Sequence, residues 1–97
     1  MPKIQQVNRI DSVGGLHGEV LAWRKLGESQ DFVIGAVLVR RDDPATAERP
    51  FSTHSVSIHK ETGQVDASNG RYELTERRGW LDWADRASLN GTLDIPA

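Results

Sequence analysis

The chain has no cysteine, one methionine, one tyrosine and two phenylalanines in 97 residues. Without disulfides its stability must come from a hydrophobic core, and a reducing compartment is the simplest setting for such a chain. The longest apolar stretch, Phe32 to Val39, is too short to span a bilayer, and the start Met1-Pro2-Lys3-Ile4-Gln5-Gln6 lacks the apolar run of a signal peptide. These absences point to a cytoplasmic protein with no membrane role. Neither sign of charge dominates: 12 basic and 14 acidic side chains give a net charge of −2. The basic footprint of a duplex-binding domain is therefore missing.

Metal and catalytic signatures are also missing. His54 and His59 lie on one expected strand at a spacing that points them to opposite faces, and His17 is far away in sequence. No His-x-x-x-His spacing occurs, and no cysteine can complete a site, so no metal and no cofactor is expected. All three histidines read as surface or lightly buried. Gly14-Gly15-Leu16-His17-Gly18 is glycine-rich but leads into a strand-like run, not into the helix N-terminus that a phosphate cradle needs. Ser55, Ser57 and His59 share one strand face, yet no Gly-x-Ser-x-Gly elbow accompanies them and no oxyanion donors are evident. No catalytic residue is assigned. The acidic pairs Asp42–Asp43 and Asp82–Asp85 read as a solvated loop and a solvated helix face.

What is present is a series of strands followed by a helix. Ile4 to Ile10 reads as a polar edge strand, and Asp11 to Gly15 as a turn. Glu19 to Leu26 reads as a second strand, with a turn at Gly27 to Asp31. Phe32 to Val39 is continuously apolar and β-branched, so both of its faces should be buried and its place is central. In the long connection Arg41 to Phe51, Asp43 and Pro44 suggest a short capped helix stopped by Pro50. Ser52 to Lys60 alternates cleanly, with His54, Val56 and Ile58 on one face and Ser55, Ser57 and His59 on the other. Asn69-Gly70 is the chain's strongest hairpin signal, placing a turn between short strands at Val65 to Ala67 and Arg71 to Leu74. Thr75 has the chemistry of a helix cap, and Trp80, Trp83, Ala84 and Ala87 follow at i, i+3, i+4 and i+7 as one apolar stripe. Gly79 within it suits close approach to the sheet. Asn90-Gly91 ends the helix, and residues 92–97 form a tail.

The expected architecture is one α+β domain spanning residues 1–97: a four- to five-stranded, mostly antiparallel sheet with one C-terminal helix packed on one face. With so small a core and no catalytic constellation, the leading reading is a non-enzymatic protein-interaction module. A homodimer through the first strand fits the same reading. The candidate contact residues are Trp23, Arg40, Arg41, Asp42 and Asp43, together with the polar strand face Ser55, Ser57 and His59. An excess of arginine over lysine, nine to three, hints at a bacterial or phage genome, and the small size suits an adaptor or an inhibitor. The alternative is a nucleic-acid-binding regulatory domain in which Trp23, Arg24, Lys25, Arg40 and Arg41 act together. A small hydrolase-like enzyme is a third reading.

Overall fold

The computed structural model describes residues 9–11, 15–44 and 47–87. Five strands and one helix follow in order: β1 (Arg9–Asp11), β2 (His17–Glu28), β3 (Phe32–Arg41), β4 (Phe51–His59), β5 (Val65–Leu74) and α1 (Glu76–Arg86). The strands form a single antiparallel sheet in which each pairs with its sequence neighbour. The expected α+β class, the sheet and the C-terminal helix are all present. Among the described residues, no helix is long and apolar enough to cross a membrane.

Strand β3 lies at the centre, and its run from Ala36 to Val39 is fully buried. That run has the cover on both sides that a continuous apolar strand needs; nearer the start of β3, Phe32 and Ile34 are exposed, which corrects the expectation that the whole stretch is buried on both faces. On one face Val33, Val37 and Val39 join Val20, Val56, Ile58, Val65, Ile10 and Leu16, with Trp23 against them. On the other, Ala36 and Leu38 meet Phe51 and the helix residues Trp83, Ala84 and Ala87.

The first face is the inside of a curl, and bulges produce it. Pairing of β2 with β3 shifts register at Val20/Ala22 and again at Lys25/Gly27, leaving Leu21 and Leu26 as extra residues. Pairing of β5 with β4 shifts between Phe51/Thr53 and between Thr53/Ser55. Each shift in β5 coincides with a residue in the left-handed region, Asn69 at φ 53° and Glu73 at φ 59°. An extra residue bends its strand and increases twist, so bulges on both flanks of the central pair roll the sheet up. The outcome at Asn69-Gly70 corrects the sequence reading. The pair makes no hairpin turn, and β5 runs through it unbroken. Asparagine takes the left-handed conformation equally well in a turn and in a bulge. The helix expected after Asp43 is also not observed: residues 47 and 48 form a turn, and residues 45 and 46 lie outside the described set. The expected strand residues 4–8, the helix end at Asn90-Gly91 and the tail likewise lie outside it.

Helix α1 begins as its sequence dictates. Thr75 is extended, and its hydroxyl accepts a hydrogen bond from the Arg78 N–H at 3.3 Å. Removing this cap with Thr75→Ala should lower stability by about 1 kcal/mol, read as a drop of a few degrees in Tm with the folded far-UV spectrum unchanged. The Trp83 indole donates to the Ala36 carbonyl at 3.1 Å, fixing the helix over the sheet. Gly79 sits where a side chain has no room: a Cβ there would lie 2.8 Å from Leu38 Cδ1 and 3.2 Å from Phe51 Cβ.

A polar cluster ties the far end of α1 to β4 and β5. The Thr53 hydroxyl donates to Asp82, Arg71 donates to the same carboxylate at 2.5 Å, and Arg86 Nε donates to Thr53 Oγ1 at 3.0 Å. Arg86 also donates to the Asn69 carbonyl, holding the first β5 bulge to the helix. Burial pushes the Asp82 carboxyl upward, but hydrogen bonds from Thr53 and Arg86 and the charges of Arg71 and Arg86 outweigh it and leave it below the ordinary value.

Candidate functional site: the mouth of the curled sheet

Rolling the sheet brings β2 close to β5 although two strands lie between them in sheet order. Where the roll opens there is a groove of about 530 Å³, lined by Gly15, Leu16, His17, Arg41, Asp42, Asp43, Ala67 and Tyr72. That volume is within the range of small ligand sites. Leu16 and Ala67 supply apolar wall, and Tyr72 is half exposed, at 50%.

The polar groups at the mouth are mostly paired. Arg9 reaches across to Asp42 with two hydrogen bonds, at 3.1 and 2.5 Å. Those bonds hold the Asp42 carboxyl below its usual range. The His17 ring meets Asp11 at 2.8 Å. The Arg41 guanidinium lies over the Tyr72 ring, 5.0 Å from its centroid, and 3.6 Å from the Glu73 carboxylate. A second, shallower groove beside this one is lined by Arg9, Glu19, Arg40, Arg41 and Asp42, and there Arg40 pairs with Glu19 at 2.6 Å.

Behind the mouth lies His54, which corrects the expectation of surface or lightly buried histidines. It is 1% exposed, with its ring edge-on to Tyr72 at 5.1 Å and its Nε2 2.8 Å from Ser52 Oγ. Burial is the main force on this imidazole, and with the charges of Arg86 and Arg41 it drives the pKa down to about 4. The ring is therefore neutral at physiological pH. Ser52 is wholly buried, so its hydroxyl has no contact with solvent from which to meet a substrate.

The sequence candidates divide into three groups. Arg41, Asp42 and Asp43 converge on the groove, and Arg40 stands at its neighbour. Trp23 lies elsewhere on the inner face: it is partly buried against the core, with its ring over Gly35. Ser55, Ser57 and His59 are half-buried on the helix side of the sheet, not an open polar platform. Ser55 accepts from Arg86 at 3.4 Å. His59 stacks edge-on against Phe32, and its Nδ1 accepts from the backbone N–H groups of Glu61 and Thr62, closing the turn after β4. Sequence reasoning missed Tyr72, Leu16, Ala67 and His54 as neighbours of the charged loop. For His54 a signal existed, since its phase with Val56 and Ile58 puts it on the core side.

Among the described residues, no group of three or more His, Cys, Asp or Glu side chains is placed to hold a metal ion. No protein family, curated protein or solved structure matches the chain. Any functional reading therefore rests on the groove itself.

Proposed function

We propose that this domain is a non-enzymatic protein-interaction module that takes its partner at the mouth of the curled sheet. One observation carries the reading. The inner face of the sheet is filled by its own curl and α1 covers Ala36 and Leu38 on the other, while the mouth gathers a half-exposed tyrosine, apolar wall and charged strand ends into one groove. Aromatic residues with charged neighbours in a concavity are the usual anchors of protein contacts. The carboxylates Asp42 and Asp82 are held by arginines, in the state suited to structural pairing more than to proton transfer. A cytoplasmic adaptor or inhibitor of bacterial or phage origin would suit a domain of this size.

The nucleic-acid reading is less well supported. Arg9, Arg40 and Arg41 each face a carboxylate, Asp42, Glu19 and Glu73 respectively. Phosphate binding would have to compete with those pairs.

A photo-crosslinking residue placed at Tyr72, with one at Asp31 in the opposite turn as control, tests both readings in nuclease-treated and untreated lysate of the source cell. A discrete protein adduct at position 72 and not at 31, surviving nuclease, is the expected result. An adduct lost on nuclease treatment would transfer the assignment to nucleic acid, and equal labelling at both positions, or none, would remove the mouth as a contact surface.

A further inference from the structure

We infer that the groove at the mouth receives a basic side chain, an arginine or lysine of the partner protein. This rests on the reading of the mouth as a partner site and adds the chemistry of what enters it. The inference comes from what remains after the internal pairs are closed. Asp42 is engaged by Arg9, Asp11 by His17, and Arg41 lies against Glu73. Asp43 lines the same groove, is exposed, and makes no ion pair among the described residues. Among the described residues around this groove and its neighbour, the acidic groups Asp11, Glu19, Asp42, Asp43 and Glu73 outnumber the permanent cations Arg9, Arg40 and Arg41. An incoming anion would meet this surplus of carboxylates, whereas a cation would be drawn to it.

Shape supports the same occupant. Leu16 and Ala67 line the groove without charge, which suits the aliphatic stem of arginine or lysine. Tyr72 offers half of its surface to solvent at the same place, and aromatic rings attract cations through their negative faces. Arg41 already uses the ring in this way from within the chain, 5.0 Å from its centroid. A guanidinium or ammonium held between Asp43 and Tyr72 would repeat that contact from outside.

Three blocked peptides test the inference on the intact chain: acetyl-Gly-Arg-Gly-amide, its lysine counterpart and acetyl-Gly-Glu-Gly-amide. The readout is the NMR signals of the Tyr72 ring and the Asp43 amide. The basic peptides are expected to produce saturable shifts that weaken with added salt, and the acidic peptide none. Asp43→Asn should weaken binding roughly three- to fivefold, the scale of one exposed ion pair, while Asp31→Asn should leave it unchanged. The free-state spectrum of each variant verifies that the fold persists. Saturable binding of the acidic peptide, an absence of saturable shifts, or indifference to Asp43→Asn would each overturn the inference. If the Tyr72 crosslink still captures a discrete protein in that case, the contact surface stands and only its chemistry is wrong. If capture fails too, both readings fall.

Discussion

Replacing Gly35 with alanine is expected to cost about 3 kcal/mol of stability, the upper range for inserting a methyl group where there is no room. Glycine within a strand is ordinarily a weakness, and alanine gains a fraction of a kcal/mol by restricting the unfolded chain. Here the sign reverses. A Cβ at this position would lie 2.4 Å from the Arg24 carbonyl oxygen and 2.4 Å from the edge of the Trp23 ring. The carbonyl belongs to the neighbouring strand and cannot swing aside as a side chain can. Relief would require β2 to move away from β3 next to the Leu26 bulge. The urea midpoint should fall with little change in slope, and the emission of Trp23 should shift to the red as its ring lifts from the core. Gly27 is the control, since nothing lies within 4 Å of a Cβ there, and Gly27→Ala should be close to neutral. Equal effects at the two glycines would show that the Trp23 ring does not rest on Gly35.

Acid should weaken the fold well before the carboxylates titrate. His54 is neutral in the folded chain down to about pH 4, while in the unfolded chain an imidazole takes up its proton near pH 6.5. Its folded value lies below the unfolded one, so between these limits the unfolded state binds more protons. Stability is then complete above pH 6.5 and declines as pH falls toward 4, by roughly 3 kcal/mol in all. Urea titrations at a series of pH values should show this slope, and His54→Phe should flatten it between pH 6.5 and 4 whatever its effect at neutral pH. Asp82 and Asp42 are held below the ordinary carboxylate value, so their losses come at lower pH and stay separable. A slope that survives His54→Phe would mean the imidazole is not the group responsible.

Signals confined to a few neighbouring residues were legible in the sequence. Thr75, Trp80, Trp83, Ala84 and Ala87 define the start and the buried stripe of α1 through spacing within three turns, and the run Phe32 to Val39 declares a central strand, although one of its faces is open at Phe32 and Ile34. The signals that failed were those with two structural meanings. Asn69-Gly70 advertises a left-handed conformation, which a hairpin turn and a bulge use equally, and pairing with β4 decided for the bulge. His54 was placed with Val56 and Ile58 by alternation, but the polarity of its side chain argued against the depth at which it lies. The mouth was half legible. Arg41, Asp42 and Asp43 stood out as a dense charged loop, but their meeting with Tyr72 and Ala67 depends on curvature built by bulges in β2 and β5, and no local spacing encodes that curvature. Ser55 and His59 read as an open face because their partners lie outside the strand: Arg86 of the distant helix over Ser55, and Phe32 of β3 against His59.

The neighbour-to-neighbour order of the strands also governs how the chain acquires its shape. Every strand pairs with the one made just before it, so each pairing closes only the loop between consecutive strands. The inner core, which joins Val20 to Val65, and the helix reach further along the chain. Trp83 reaches back to the carbonyl of Ala36, 47 residues earlier. During synthesis the hairpins can therefore zip together as they emerge from the ribosome, while the side of β3 carrying Ala36 and Leu38 stays bare until residues 76–86 follow. In that interval the nascent sheet is a sticky intermediate, and the charges bracketing its central strand, Asp31 on one side and Arg40 and Arg41 on the other, stand where they discourage a neighbouring chain from adding to it.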